Sequence, residues 1–100
     1  MLNSRQRAQL RGVSNNLDTI IHIGKGGITE NVIAQVSEAL TARELIKGKV
    51  LENSLLTASE AMNEVSGICL AEPVQAIGSK FVLYKENHKL AKDKKIKLVK

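Results

Sequence analysis

Apolar residues recur at helical spacing in three stretches of the chain, each preceded by a residue that can cap a helix. The first stripe consists of Leu10, Val13 and Leu17. The second follows Thr29, and the third stops at Gly67, where a glycine can end a helix. The pattern therefore predicts three helices, which run from Asn3 or Ser4 to about Asn15, from Thr29 to about Ala42, and from Asn53 or Ser54 to Gly67.

Four shorter stretches have the β-branched or alternating composition of strands. Gly78 and Ser79 separate the last two, and such a two-residue loop is typical of a hairpin with a type II′ or related turn. Gly48 lies inside the second stretch, where glycine weakens a strand unless a bulge or a close contact requires it. The predicted strands are Thr19–Ile23, Leu45–Leu51, Pro73–Ile77 and Lys80–Lys85.

The predicted elements follow one another in the order α-β-α-β-α-β-β. Alternating strands and helices imply crossover connections and parallel pairing, whereas the final hairpin adds an antiparallel pair. A chain of 100 residues suits one hydrophobic core. We therefore predict an α/β fold of the mixed α+β kind, a single domain in which a four-stranded mixed sheet is packed with three helices.

Positive charge is concentrated at the two ends of the chain and at a glycine-rich turn. Net charge is +3 for residues 1–25, −3 for residues 26–84 and +5 for residues 85–100. This asymmetry suggests a polyanionic partner, most often nucleic acid, although a solubilising tail on an ordinary domain explains the last segment equally well. We expect a domain over residues 1–86 and a lysine-rich C-terminal tail, residues 87–100, that is mobile at least in part.

Several functional classes find little support in the sequence. No stretch approaches the roughly 18 to 20 apolar residues of a membrane span, and the N-terminus lacks the apolar core of a signal peptide. No cluster of His and Cys has metal-ligand spacing, and His22 and Cys69 are better explained as strand and core residues than as catalytic groups. We therefore expect a cytoplasmic protein that is not an enzyme, needs no cofactor or metal, and binds neither a membrane nor a small-molecule substrate.

The turn between the first strand and the second helix carries the most specific chemistry. Gly24, Lys25, Gly26 and Gly27 form a G-x-x-G with an extra glycine, the GKGG loop. Unpaired amides and the dipole at a helix start attract anions, and glycines let a sugar-phosphate chain come close. Many strand-to-helix corners contain glycine for geometry only, so the pattern alone is weak. The spacing of its glycines and lysine excludes a Walker loop and a dinucleotide-binding loop. The remaining interpretation is a loop that binds the backbone of a polynucleotide, as in the KH module.

Three blocks of sequence together are more specific than the loop alone. "IGKGGIT" follows the first strand, "EALTARELIK" joins the second helix to the second strand, and "VQAIGSKFVLYK" ends the predicted domain. With the order of elements, they resemble the CRM domain (chloroplast RNA splicing and ribosome maturation), above all its stand-alone bacterial YhbY-like members, over about residues 2–86. Thr19 stands where the family often has proline, and Gly48 where it has valine or a similar residue.

The resemblance implies a fold similar to the C-terminal domain of translation initiation factor three and an RNA-binding function associated with precursors of the large ribosomal subunit. It implies RNA as the partner, ribosomal RNA in particular, and we expect a monomer. A protein-interaction module with a nonspecific basic tail is the alternative, since the middle segment is acidic and the chain has only two aromatic residues. The predicted RNA-binding residues are Gly24, Lys25, Gly26 and Gly27 in the loop, supported by Arg5, Arg7, Arg11 and Lys47.

Overall fold

The computed structural model describes residues 2–90 and 95–99, which form three helices and four strands. The predicted order of elements and the single α+β domain are confirmed. None of the helices in these ranges has the length and apolar character needed to cross a membrane. The elements are α1 Ser4–Ser14, β1 Thr19–Ile23, α2 Glu30–Arg43, β2 Leu45–Val50, α3 Ala58–Cys69, β3 Glu72–Ile77 and β4 Lys80–Tyr84.

The four strands form one mixed sheet in the order β1-β2-β4-β3. β1 pairs with β2 in parallel, as the intervening helix α2 requires, and β4 pairs antiparallel with both β2 and β3. Of the two residues in the hairpin loop, only Gly78 has a positive φ, 60°, which is the arrangement of a type II′ turn. The predicted mixed sheet and its terminal hairpin are therefore confirmed.

Helices cover the two faces of the sheet unequally. The larger core lies between the sheet and the pair α2 and α3, and it includes Ile23, Val36, Val65 and Phe81. On the other face, α1 is the one helix among the described residues, and it packs over a smaller cluster that contains Leu10 and the side chains of Leu45, Val74, Val82 and Tyr84. Because α1 is short and lies over this cluster, the half of that face nearest the GKGG loop is left without a helix over it.

The third helix differs from the prediction at both ends. It begins after Thr57, whose hydroxyl accepts a hydrogen bond from the amide of Glu60 while the Glu60 carboxylate accepts one from the Thr57 amide. Leu55, which lies within the predicted span of this helix, is 96% exposed in the preceding turn. Gly67 lies inside the helix, which ends at Cys69 and is followed by Leu70 in the left-handed conformation. The start at Asn53 or Ser54 and the stop at Gly67 are therefore wrong.

Gly48 occupies a regular position in β2 and makes room for an aromatic ring. It pairs with Phe81 across the sheet, in a register with β4 that is unbroken from Leu45 to Lys49. A Cβ on Gly48 would lie 2.4 Å from Cζ of Phe81, well inside van der Waals contact. Glycine, where the resemblance implies valine or a similar residue, therefore leaves the space that the Phe81 ring fills.

A buried carboxylate joins the C-terminal segment to the domain. Glu44 ends α2 with a positive φ of 61° and is fully buried. Its carboxylate accepts hydrogen bonds from the amides of Asn87 and Ile96, at 2.6 and 2.8 Å, and from Nζ of Lys95 at 3.3 Å. Burial alone would raise the pKa of this carboxyl, but the two amide bonds and the Lys95 ammonium outweigh it and hold the pKa below its ordinary value of 4.5.

Residues 95–99 lie along α1. Gln9 binds this segment at two points, donating to the carbonyl of Lys97 and accepting from the amide of Val99, while Ile96 and Leu98 pack on the smaller cluster. The predicted division at residue 86 and the predicted mobility of residues 87–100 stay predictions, and residues 91–94 and 100 of that tail lie outside the described residues.

Candidate nucleic-acid interface

The GKGG loop lies at the end of the sheet where β1 and β2 finish. The amide of Gly27 donates to the carbonyl of Gly24 at 3.0 Å, which closes the loop as a tight turn. Its base is held by the amide of Leu51, which donates to the carbonyl of Ile23 at 2.8 Å. The loop is thus a short corner fixed to two neighbouring parallel strands.

The helix that follows the loop offers free backbone donors. Thr29 caps α2 by accepting from the amide of Val32 at 3.2 Å, and its carbonyl receives the first helical bond from Ile33. Within the described part of the chain, no group accepts from the amides of Glu30 and Asn31, which open the helix. These amides and the helix dipole favour an anion here, while the Glu30 carboxylate in the same turn opposes one.

The three glycines of the loop differ in whether the fold requires them. Gly27 has a φ of 70°, a conformation that side chains rarely adopt, so the turn itself explains this glycine. A Cβ on Gly24 or Gly26 would only reach ordinary contact, 3.6 Å from Leu51 and Asn53 in one case and 3.6 Å from Thr29 in the other. Neither has a positive φ. Packing within the protein therefore does not account for Gly24 and Gly26.

Lys25 lies at the tip of the loop with its side chain exposed. No acidic side chain of the described residues pairs with it. Its ammonium is therefore free to meet a phosphate next to the loop.

Two of the four supporting residues predicted from the sequence have hydrogen-bond partners among the described residues. Nη1 of Arg7 donates to the carbonyl of Pro73 at 3.3 Å, and Nζ of Lys47 donates to the carbonyl of Ser14 at 3.4 Å. The second bond places a cation at the negative end of α1, so Lys47 has a structural role at the helix terminus. Arg11 is exposed and lies one turn beyond Arg7 on the same flank.

Arg5 lies apart from the other predicted cations. At 3.6 residues per turn it is about 160° round α1 from Arg7. It shares its flank with Gln9, four residues along, whose side chain binds the C-terminal segment. The structure therefore brings Arg7, Arg11 and Lys47 to one side of the molecule and leaves Arg5 on another.

Three basic or polar side chains near the loop were not among the predicted site residues. His22, Lys49 and Lys80 pair in register on β1, β2 and β4. The sequence contains one signal for them, because period-two alternation puts Lys49 on the same face as Lys47. Their alignment across three strands can be recognised only once the strand order is known, because β4 lies between β2 and β3.

Metal binding finds no support among the described residues. In residues 2–90 and 95–99, no group of three or more His, Cys, Asp or Glu side chains is placed to hold a metal ion. Cys69 is buried at the end of α3, with its sulfur 3.8 Å from Oγ of Ser37. What the arrangement can do chemically is to bind an anion at an exposed loop.

Fold and loop together define a small α+β domain with a G-x-x-G corner at one end of its sheet. The chain belongs to the CRS1 / YhbY (CRM) domain family, whose model matches residues 2–85, and this confirms the family that the three sequence blocks predicted.

Relatives and a solved structure agree with this assignment. The chain is 42% identical over 91 residues to "Probable RNA-binding protein YqeI" of Bacillus subtilis, covering 87% of this chain and 91% of that one. It is 34% identical over 84 residues to a Haemophilus influenzae protein named "RNA-binding protein", covering 84% and 85% of the two chains. The chain also matches the solution structure of SAV1595 from Staphylococcus aureus, which is described as a candidate RNA-binding protein. The TM-score is 0.78 and the sequence identity is 41%, and the match covers 97% of this chain and all of SAV1595.

Proposed function

We propose that this protein binds RNA and holds its sugar-phosphate backbone at the GKGG loop. The observation that carries the proposal is that Gly24 and Gly26 are not required by the turn or by packing, although glycine is an unfavourable choice for chain entropy. A backbone that must come close to a polymer explains both residues. Membership of the CRM family and the names of the relatives support RNA as that polymer.

Recognition should depend on phosphate and shape more than on base identity. The chain has one Phe and one Tyr and no Trp, and both aromatic side chains are buried. Burial, followed by the charges of Glu44 and Glu86, raises the pKa of Tyr84 to about 12, in keeping with a phenol enclosed by the protein. Without an exposed Phe, Tyr or Trp ring to stack bases, contacts fall mainly on phosphate and sugar, which position RNA without reading its sequence.

The proposed target is ribosomal RNA in precursors of the large ribosomal subunit, within the cytoplasm, and the proposed binding unit is a monomer with no catalytic step. This part of the proposal depends on the resemblance to the CRM family. The loop geometry is suited to an exposed single strand, because a G-x-x-G clamp follows the backbone of a few nucleotides.

Gly26→Asp tests the loop directly. It adds a carboxymethyl side chain with a negative charge where phosphate should lie, while a Cβ at this position meets only ordinary contacts. We expect at least about tenfold weaker binding of single-stranded RNA in 0.1 M salt, since a repelling charge and a lost phosphate contact act together. Gly67→Asp, on an exposed face of α3 with nothing within 4 Å of an added Cβ, is the matched control and should bind as wild type does. Equal affinities for the two folded variants would overturn the proposal.

A further inference from the structure

We infer that the half-sheet left open by α1 is a second contact surface for the same RNA, centred on a row formed by His22, Lys49 and Lys80. This inference rests on the proposed RNA-binding function and extends it from the loop to the face of the sheet. The row crosses β1, β2 and β4, one residue from each strand, because His22 pairs with Lys49 and Lys49 pairs with Lys80.

All three side chains of the row lie on the α1 face of the sheet. Leu45, at the start of β2, belongs to the cluster under α1, and Lys49 is four residues further along the same strand, so both point to that face. Ile21 and Ile23, which flank His22, belong to the opposite core. α1 covers only the end of the sheet near Leu45, so the row remains in solvent or at its edge.

The arrangement of charge in the row is unfavourable for an isolated protein. Lys49 and Lys80 are directly opposite each other on antiparallel strands, where like charges destabilise a sheet. Neither has an acidic side chain within ion-pair distance in the parts of the chain that the structure describes. The strands β1, β2 and β4 contain no acidic residue at all. An external polyanion would relieve this repulsion.

The row lies next to the loop. His22 is two residues before Gly24, and the hairpin that precedes Lys80 is tied to the end of β2 by a bond from the amide of Val50 to the carbonyl of Ser79 at 2.7 Å. With strands about 4.8 Å apart, the row extends about 10 Å across the sheet. At its far edge Ile77, paired with Lys80, is 68% exposed and can contact a ribose. A strand held at the loop can therefore continue over the row.

The test compares two variants that remove the same charge. The row variant, Lys49→Gln with Lys80→Gln, is set against Lys89→Gln with Lys97→Gln, two exposed lysines of the C-terminal segment outside the row. The probe is a fluorescent 12-nucleotide polyuridylate, whose affinity is measured at several salt concentrations. Two lost phosphate contacts should lower the log-log salt slope by about 1.4 and weaken binding about 25-fold in 0.1 M salt, because each contact on a single strand contributes about 0.7 to the slope.

Each outcome decides between the two proposals. The row is supported if the row variant binds RNA more weakly, the control binds nearly as wild type does, and Lys49→Arg with Lys80→Arg restores full affinity. If the row variant and the control bind equally while Gly26→Asp binds poorly, the row is overturned and the loop stands. If wild type does not bind the probe, both fall. Polyglutamate of the same charge as the RNA probe is tested as well. If it binds as tightly as the RNA and loses as much affinity in the row variant, the row belongs to an acidic protein partner and the RNA assignment is overturned. Circular dichroism melts confirm that all variants are folded.

Discussion

Replacing Gly48 by alanine is expected to destabilise the protein far more than a one-carbon change normally does. The added Cβ would lie 2.4 Å from Cζ of Phe81 and 2.8 Å from Cε1 and Cε2. Carbon atoms prefer separations of about 3.5 to 4.0 Å, so the overlap is about 1 Å or more. The Phe81 side chain is fully buried against α2 and α3, and it cannot swing away without displacing the core.

The magnitude follows from overpacking. Forcing extra carbon into a packed core costs about 1 to 3 kcal/mol, and the depth of this overlap places Gly48→Ala at about 2 to 3 kcal/mol, after a small gain in strand propensity. For a domain of this size, that loss lowers the melting temperature by about 10 to 20 °C. Gly67→Ala, in a helix with nothing within 4 Å of the new Cβ, is the control and should stabilise by up to about 1 kcal/mol.

A double-mutant cycle with Phe81→Leu identifies the cause. Shortening the ring removes the atoms that the Cβ meets, so the two changes together should cost less than their sum by about 1 to 2 kcal/mol. Urea unfolding followed by circular dichroism measures each free energy. Additive effects, or a Gly48→Ala variant as stable as wild type, would refute the explanation based on the ring.

Three further outcomes are expected. Lys25→Ala should lower the salt slope of single-stranded RNA binding by about 0.7 with an unchanged melting temperature, and an unchanged slope would exclude Lys25 as a phosphate ligand. Because the pKa of Glu44 is depressed, its contribution to stability is complete above pH 4.5 and is lost as pH falls through and below that value. The free energy of unfolding, measured by urea titration at a series of pH values, should therefore fall less steeply at acid pH for Glu44→Gln than for wild type. Parallel curves for the two proteins would contradict this. Leu70→Gly, at an 82% exposed position with a φ of 57°, should stabilise the protein by about 0.5 to 1 kcal/mol in the same assay, and a loss of stability would contradict the strain assigned to this cap.

The fold was largely predictable from the sequence because its elements have strong local signals. The cap at Thr29, the β-branched run of β1 and the Gly-Ser hairpin each depend on neighbouring residues alone. The start of α3 also has a local signal in the Thr57 and Glu60 capping box, but the apolar residue Leu55 continues the helical spacing and predicts an earlier start. A lone apolar residue in a turn imitates helical periodicity when only spacing is considered.

Other features depend on contacts between distant parts of the chain. The need for glycine at Gly48 appears only when Phe81 is placed opposite it, and the buried carboxylate of Glu44 is satisfied by donors more than forty residues away, at Asn87 and Ile96. Neither pairing has a local sequence signal. The row on the open half-sheet cannot be predicted from the sequence for the same reason. It depends on the position of β4, which lies between β2 and β3 in the sheet.

The most direct test of RNA binding at the GKGG loop is a nuclear magnetic resonance titration of the ¹⁵N-labelled protein with a short single-stranded RNA. The account predicts that the amide signals of Gly24 to Gly27, together with those of Glu30 and Asn31, move progressively as RNA is added. If these signals stay in place while amides on another surface shift with saturation, RNA binds elsewhere and the assignment of the loop is wrong.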